Sequence, residues 1–225
     1  MTPIFHLLHL CLALNLFLLD QVKPDPDPLQ DYCVANPKPA LSFYTNGAPC
    51  IDPALARSSH FSTSVLAMPG DTKANPFGFN VTLTNTLNLP GLNTMGLTMA
   101  RVDIEANGLV PPHSHPRASE VIICLEGSVL VGFVDTSARL FTQKLRVGES
   151  FIFPKGLIHF IYNMDSMSPA LAVSGMNSQN PGAQVGSVAM FKSKPLIPDE
   201  VLKGAFQING QDIARIRRNL GGSLF

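Results

Sequence analysis

A series of short apolar segments separated by turn signals runs from about residue 79 to residue 193 and constrains the fold more than any other feature. The breaks are groups of turn-forming residues, such as Pro90-Gly91 and Asn107-Gly108. Short strands with turns at near-regular intervals are typical of an antiparallel sandwich or barrel. We therefore predict an all-β domain over 79–193, with strands at 81–86, 98–104, 121–125, 129–134, 140–145, 150–153, 158–162 and 171–174.

The composition agrees with an ordered domain that carries no overall charge. Of the 225 residues, 45% are hydrophobic, which is enough to bury a core. Only 14% are charged, against about 25% in an average globular chain. Equal numbers of basic and acidic residues, 16 of each, give a net charge of zero. Because no positive field attracts nucleic acid or an anionic membrane, we expect neither as a partner.

The N-terminal stretch indicates export. An apolar run over 4–19 is followed by the polar sequence Asp20-Gln21-Val22-Lys23, which predicts a cleaved signal peptide over 1–22. An uncleaved membrane anchor is the alternative. Residues 23–78 are predicted to form an N-terminal extension, which starts with the alternating prolines of an extended segment. We expect a secreted protein with no membrane attachment after cleavage.

The cysteines and one glycosylation sequon fit an exported protein. Cys33 and Cys50 lie in a turn-rich polar stretch, and we predict that they form a disulfide, which would stabilise the fold by about 3 kcal/mol. Cys124 lies within an apolar run and is predicted to be a buried free thiol. Asn80 begins the sequence Asn-Val-Thr, an N-glycosylation sequon that export would make usable.

Two helices are predicted in the C-terminal segment 194–225, at about 199–206 and 211–220. Ile213, Ile216 and Leu220 recur at helical spacing, and Gly221-Gly222 would end the second helix. A closed barrel has little reason to cover this apolar stripe, so we expect it to dock on another subunit. The arginines at 215, 217 and 218 are interpreted as a solvated face, with a partner-binding patch as the alternative.

Three histidines and one glutamate form the candidate chemical site. His113 and His115 alternate along an extended chain, so both imidazoles project to one face. Glu120 follows a segment with room for a turn, and His159 opens a strand after the turn at 154–156. A His-x-His pair alone also occurs as an ordinary surface pair. The spacing of the whole set, however, predicts a metal site.

This spacing matches the two motifs of the cupin superfamily. They read His113-x-His115-x4-Glu120-x6-Gly127 and Gly148-x5-Pro154-x-Gly156-x2-His159-x3-Asn163. More closely, the sequence resembles the plant germin-like proteins, in the segments PDPLQDYC (26–33), LPGLNT (89–94), PPHSHPRASE (111–120) and NSQNPG (177–182). One position departs from the family pattern. Asn107 replaces the glycine six residues before the first histidine, but asparagine tolerates the left-handed conformation of a turn.

The resemblance implies a cupin jelly-roll β-barrel with C-terminal α-helices, in which His113, His115, Glu120 and His159 bind Mn(II). It also implies export to the apoplast and cell wall, a role in plant defence, and a homo-hexamer built as a trimer of dimers through barrel faces and C-terminal helices. Ligand chemistry alone leaves Mn, Fe, Cu and Zn open. Three imidazoles and one carboxylate are too rich in nitrogen for Mg or Ca, and they lack the thiolates typical of structural Zn.

Three functions remain open for such a site. A manganese superoxide dismutase would act through the metal and needs an open coordination position, but no shaped organic pocket. The family's oxalate oxidases carry asparagine at two positions that align with Ala100 and Val110, so hydrogen-bond partners for oxalate are missing here. A non-enzymatic receptor or wall protein stabilised by the metal is the third function. We expect the dismutase, and we disfavour the oxalate oxidase.

Overall fold

The computed structural model of the protein describes residues 30–38 and 47–220. The predicted signal peptide over 1–22 and the predicted helix end at Gly221-Gly222 lie outside these residues. Across 30–38 and 47–220, no helix combines the length and the apolar character needed to cross a membrane.

In the described part of the chain, ten strands form two antiparallel sheets. The strands are β1 (Phe79–Leu83), β2 (Thr98–Ile104), β3 (Leu109–Ser114), β4 (Glu120–Glu126), β5 (Ser128–Val134), β6 (Leu140–Arg146), β7 (Ser150–Phe153), β8 (Ile158–Tyr162), β9 (Ala170–Met176) and β10 (Gln184–Val185). One sheet has the strand order β1-β2-β9-β4-β7, and the other has the order β10-β3-β8-β5-β6. Helices follow the strands at the C-terminal end, so the predicted fold class is confirmed.

Side-chain alternation turns one face of each sheet into the core. In β2, Ala100, Val102 and Ile104 point inward and are buried, whereas Met99 points outward and is half exposed. The two inner faces share one apolar core, whose largest members are Phe79, Phe153, Ile104, Ile122, Leu145 and Ile161. The strands that carry the functional residues pack against this core.

One predicted strand, at 81–86, is displaced in the structure. The observed β1 ends at Leu83 because a turn begins at Asn85. The Asn85 side-chain oxygen accepts hydrogen bonds from the backbone N–H groups of Leu87 at 2.8 Å and Asn88 at 3.2 Å. Asparagine side chains that bond the backbone two or three residues ahead favour turns over strands.

Three helices complete the described chain, namely α1 (Gly186–Phe191), α2 (Asp199–Phe206) and α3 (Gly210–Asn219). The predicted helices at 199–206 and 211–220 correspond to α2 and α3. Asn209 caps α3 by accepting hydrogen bonds from the N–H groups of Gln211 and Asp212. In contrast, α1 was not predicted. It follows Val185, which makes no side-chain capping bond, so the sequence carries no start signal there.

The apolar stripe of α3 is covered within the same chain. Ile213 and Leu220 are buried in a second apolar core together with Phe191 of α1 and Leu202 of α2. Phe77 packs against both this core and the core of the sandwich. The premise that the stripe lacks a cover on its own barrel is therefore wrong. Assembly into oligomers stays a prediction.

Arg217 on α3 links the three helices through hydrogen bonds and an ion pair. Its Nε donates to the carbonyl oxygen of Phe191 at 3.1 Å, its Nη2 donates to the carbonyl oxygen of Ile197 at 3.2 Å, and its Nη1 pairs with Asp199 at 2.7 Å. The interpretation of this side chain as part of a solvated face is wrong, because it links separate helices. Arg215 does lie on the exposed surface.

The structure contains the predicted disulfide between Cys33 and Cys50, whose Cα atoms lie 5.0 Å apart. Cys124 is buried and free, as predicted. Asn80 lies on β1 and is half-buried, with its amide nitrogen donating to the carbonyl oxygen of Asp71 at 3.4 Å. Its glycosylation stays a prediction.

Candidate metal centre

The two sheets bring four potential metal ligands together inside the sandwich. His113 lies on β3, His159 on β8 and Glu120 at the start of β4, while His115 lies just beyond the end of β3. One ligand atom from each residue lies within 4.8 Å of the others. His113, Glu120 and His159 are buried, and the side chain of His115 is only 11% exposed. We call these four residues the ligand cluster.

The pairing of β3 with β8 sets two of the ligand positions. His113 lies directly opposite His159 in the ladder, and their ring centroids are 4.2 Å apart. The register of the ladder shifts between Val110 and His113, where Pro111 and Pro112 have no N–H to donate. The two prolines therefore mark an irregularity in the strand immediately before the first ligand.

Left-handed turns precede both histidine strands. Asn107 has a φ of 57° before β3, as expected for asparagine in place of glycine, and Gly156 has a φ of 77° before β8. The next residue, Gly108, has no room for a side chain, because a Cβ there would lie 2.4 Å from the carbonyl oxygen of Gly78. The turn thus keeps a glycine at its crowded position and tolerates asparagine at the left-handed one.

His113 and His159 are oriented by carbonyl groups of their own strand segments. Nδ1 of His113 lies 2.8 Å from the carbonyl oxygen of Pro111, and Nδ1 of His159 lies 2.9 Å from that of Leu157. A carbonyl can only accept, so Nδ1 carries the proton and donates it. Each Nε2 consequently has a free lone pair, which is the state that binds a metal.

His115 and Glu120 are oriented by residues distant in the sequence. The carbonyl group of Gly182 accepts a hydrogen bond from Nδ1 of His115, which assigns the same tautomer to this ring. The buried hydroxyl of Ser174 on β9 donates to Oε1 of Glu120 at 2.5 Å. The second carboxylate oxygen, Oε2, is left to face the histidines.

The free ligand atoms of Glu120 and the histidines converge on one point. Oε2 of Glu120 lies 3.1 Å from Nε2 of His115 and 3.3 Å from Nε2 of His159. Despite these short distances, buried Oε2 of Glu120 and Nε2 of His159 have no hydrogen-bond partner among the residues that the structure describes. Facing lone pairs in a dry interior are costly, and a bound cation would satisfy all of them. The residues present therefore fit a metal ion.

The electrostatics of the ligand cluster support this assignment. Burial, followed by the nearby rings of His159 and His115, lowers the pKa of His113 to about 3, so this imidazole is neutral and able to bind metal. Burial alone would raise the pKa of Glu120, but the imidazoles of His115 and His159 hold that pKa well below its usual range. Burial lowers the pKa of His115, but the Glu120 carboxylate outweighs burial and raises it, so a proton competes with the metal for this ring.

A cavity of about 40 Å³ lies against the ligand cluster. On its other sides it is bounded by apolar residues, which we call the apolar wall: Val81, Leu83, Ala100, Val102, Val110, Ile161, Met176 and Ala183. Ala100 and Val110 are both buried. Within the described residues, no side chain of the wall offers an N–H or O–H donor. The space therefore suits one or a few water-sized ligands that are held by a metal.

Sequence reasoning did not find the two residues that orient His115 and Glu120. Gly182 belongs to the Asn-Pro-Gly turn signal at 180–182, which indicates a turn but not a histidine partner. Ser174 shares an inward face with Met176 through the two-residue period of β9, and this is the only signal that marks it. Both contacts span more than 50 residues of sequence.

Known proteins with this geometry are similar over most of the chain. Residues 64–214, which include both cupin motifs, match the cupin family. Germin-like protein subfamily 1 member 1 of Arabidopsis thaliana is 60% identical, covering 96% of this chain and 100% of the relative. Germin-like protein 3-1 of Oryza sativa subsp. japonica is 55% identical, covering 88% and 90%. A solved oxalate oxidase structure has a TM-score of 0.83 at 37% identity, covering 88% of this chain and 100% of that one.

Proposed function

The chain belongs to the germin-like proteins of the cupin family, and from this membership we propose that it is an exported manganese protein of the plant cell wall with superoxide dismutase-type activity. Its buried site of three histidines and one glutamate is a metal-binding site typical of cupins. The choice of manganese among the metals that fit rests on the family. The observation that carries the choice of reaction is the apolar wall.

The charge of the loaded site favours a small anion. Glu120 is ionised and His113 is neutral, and metal binding keeps the other two imidazoles neutral. With a divalent ion, the ligand cluster therefore has a net charge of +1. In an interior of low dielectric, this charge attracts an anion such as superoxide.

The chain's own residues hold the metal and fix the protons around it. Bound manganese supplies the one-electron redox chemistry that dismutation of superoxide to oxygen and hydrogen peroxide requires. The Nδ1 protons of His113, His115 and His159 are donated to backbone carbonyls, so the rings are held as ligands and do not shuttle protons. No residue of the apolar wall titrates, and the protons for peroxide therefore come from water that reaches the cavity.

The apolar wall disfavours oxalate, even though the chain is similar to an oxalate oxidase. A bound dicarboxylate would need donors for the oxygens that do not contact the metal. Ala100 and Val110 occupy the two positions where the family's oxalate oxidases carry asparagine, and both line the cavity. Each missing hydrogen bond to a buried polar group costs about 1 to 3 kcal/mol, which weakens oxalate binding selectively.

One observation favours a non-enzymatic role as the second candidate. The ligand cluster joins the two sheets, because His113 and His159 lie in one sheet and Glu120 in the other. A metal bound there would cross-link the sandwich and stabilise the folded state alone. A cell-wall protein or receptor that uses the ion only for stability would need no catalytic residue beyond the ligand cluster.

Measuring superoxide dismutation by the purified protein, with its metal content quantified, separates the two candidates. We expect activity that scales with bound manganese, and no hydrogen peroxide production from oxalate. Free Mn(II) at the same total concentration is the control for adventitious catalysis. A fully loaded protein with no activity above that control would reject the dismutase and leave the stabilising role.

Export, glycosylation and assembly belong to the same proposal. The Cys33–Cys50 disulfide is consistent with secretion. We expect glycan on Asn80 of protein made in a secreting plant cell, which mass spectrometry of the intact chain would detect. An unmodified Asn80 in such a sample would contradict this part.

The hexamer is supported by an apolar row on the outer face of one sheet. Met99, Val121 and Ile152 align across β2, β4 and β7 and are 49%, 51% and 60% exposed. Exposed apolar rows of this kind mark interaction surfaces. Changing Val121 to Asp should produce smaller particles in light scattering, and an unchanged size would remove this face from the assembly.

A further inference from the structure

His115 differs from the other two histidine ligands in what orients it. Its Nδ1–H is donated to the carbonyl group of Gly182, 67 residues later in the chain, whereas His113 and His159 use carbonyls two residues before them. His115 also lies outside β3, and its backbone is held by the hydrogen bonds that its carbonyl oxygen accepts from the N–H groups of Gly156 at 3.1 Å and Ala118 at 3.4 Å. The orientation of its ring, by contrast, depends on the segment between β9 and β10 that carries Gly182.

Arg117 links this segment to the loop between β3 and β4, which also carries His115. Its Nε donates to the carbonyl oxygen of Asn180 at 2.6 Å, and its Nη2 donates to the side-chain oxygen of the same residue at 2.9 Å. Its backbone N–H donates to the carbonyl oxygen of Pro181 at 3.2 Å. Three bonds from one exposed residue thus hold the turn at 180–182 beside His115.

The guanidinium of Arg117 also lies directly over Gly182. Gly182 has a φ of 69°, and a Cβ at this position would lie 2.9 Å from Nη2 of Arg117. The left-handed φ favours glycine at this position, and a side chain there would displace the guanidinium of Arg117 from the turn. The following residue, Ala183, belongs to the apolar wall. The same turn therefore borders a metal ligand on one side and the cavity on the other.

We propose that Arg117 is a positioning residue for the metal site. It holds the turn at 180–182 so that the Gly182 carbonyl keeps His115 in the tautomer and orientation that present Nε2 to the ion. Residues that orient metal ligands commonly contribute 10- to 100-fold in metal affinity, about tenfold being expected for one that acts through a backbone group. This role concerns metal retention and does not depend on whether the site dismutates superoxide.

The forked geometry of the side chain is part of the proposal. Nε and Nη2 contact two different oxygens of Asn180 at once, which the single ammonium of lysine cannot reproduce. Arg117→Lys retains the positive charge and loses the fork. If charge alone held the turn, this variant would behave as the unchanged protein.

The test compares Arg117→Ala with Arg215→Ala in the full chain loaded with Mn(II). Arg215 is likewise exposed, but it lies on α3 and its guanidinium pairs with the carboxylate of Asp212 at 3.1 Å. We expect Arg117→Ala to release Mn(II) into excess chelator about tenfold faster, with an altered Mn(II) electron paramagnetic resonance spectrum. Arg117→Lys should be intermediate, and Arg215→Ala should match the unchanged protein in both measurements.

Two results would overturn the proposal. One is a wild-type release rate and spectrum in Arg117→Ala. The other is a melting temperature of metal-free Arg117→Ala that falls by more than about 5 °C, since this indicates a general structural role rather than a role in metal positioning. If Arg117→Ala does not fold, the test of the proposal uses Arg117→Lys and Asn180→Ala instead. Asn180→Ala removes only the contact with Nη2 of Arg117. If Arg117→Lys and Asn180→Ala release Mn(II) at the same rate as Arg215→Ala, the proposed role of Arg117 is rejected.

Discussion

The ligand cluster and the apolar wall face each other across one small cavity, yet they are built in opposite ways. In the cluster, Nδ1 of each histidine and Oε1 of Glu120 are held by specific hydrogen bonds, some of them from distant residues. The wall consists of buried apolar side chains that need only volume. A single substitution in the cluster should therefore remove the metal, whereas substitutions in the wall should change which ligand is admitted.

The largest effect is expected for a direct ligand. His113→Ala removes one imidazole and leaves the others crowded around an uncompensated carboxylate, so metal content should fall to near zero. At a metal concentration of 1,000 Kd, the ion raises the unfolding free energy by about 4 kcal/mol, and this gain should vanish. Metal analysis and thermal melting with and without Mn(II) measure both.

His60→Ala is the matched control, because His60 only accepts a capping hydrogen bond from the backbone of Arg57 at 3.1 Å. It should retain full metal content. Retained metal in His113→Ala would mean that the ligand cluster is wrongly assigned.

The next effect is a loss of stability at acid pH, to which the ligand cluster contributes. Folded His113 stays neutral because its pKa is about 3, while the unfolded chain binds a proton below 6.5. The unfolded state thus binds more protons, and stability falls as the pH drops below 6.5. Glu120, with a lowered pKa, acts in the same direction below about 4.5. His115, with a raised pKa, contributes stability that is lost as the pH rises above 6.5.

The metal-free protein should therefore be most stable near pH 6.5 and melt at lower temperature toward pH 4. His113→Gln should flatten this profile between pH 6.5 and 4.5, because it removes the difference in proton binding that acts before Glu120 contributes. Urea unfolding at several pH values measures the slope. An acid slope that is the same in the variant would show that groups outside the cluster dominate.

The difference between cluster and wall also explains what the sequence could predict. Alignment with the family's oxalate oxidases marked Ala100 and Val110 as pocket positions, and both line the cavity. The cupin spacing predicted the four ligands that the structure brings together. The long-range contacts were beyond prediction. Nothing in the sequence pairs Ser174 with Glu120 or Gly182 with His115, because these contacts arise from strand order and loop packing.

The C-terminal helices illustrate the same limit. Their apolar stripe was recognised from its helical period, but the residue that covers it from the sandwich, Phe77, lies more than 100 positions away. An amphipathic face requires a cover without specifying one. The sequence thus predicted the stripe that contains Ile213 and a cover on another subunit, whereas the fold covers it within the same chain.

A smaller effect is expected when an orienting group is removed while all ligands stay. Ser174→Ala deletes the hydroxyl that donates to Oε1 of Glu120 and leaves that buried oxygen unpaired. Metal affinity should fall by about tenfold, with little change in the fold. Titration with Mn(II) measures the affinity, and Ser150→Ala, on an exposed position of β7 in the same sheet, is the control. Equal affinity in both variants would reject the orienting role of Ser174.

The smallest and most informative effect is a gain of ligand binding when hydrogen-bond donors are added to the apolar wall. Ala100→Asn combined with Val110→Asn adds amide donors beside the metal without touching a ligand, so manganese should stay bound. Glycolate or oxalate should then bind weakly, and the fold should lose about 1 to 3 kcal/mol for each amide that lacks a partner without them. The corresponding double leucine variant adds side chains of similar shape without donors. It should bind manganese and no oxalate.

Calorimetric titration with oxalate compares the unchanged protein, the double asparagine variant and the double leucine variant, all loaded with manganese. It distinguishes the effect of cavity size from the effect of missing hydrogen-bond donors. Binding only by the asparagine variant would mean that two donors are what the cavity lacks for a dicarboxylate. If the unchanged protein already binds oxalate, the apolar wall does not select the ligand, and the argument against oxalate oxidase fails. If neither variant binds although both retain manganese, the cavity is too small for a dicarboxylate whatever lines it, so exclusion by size would protect the metal from oxalate as effectively as missing donors.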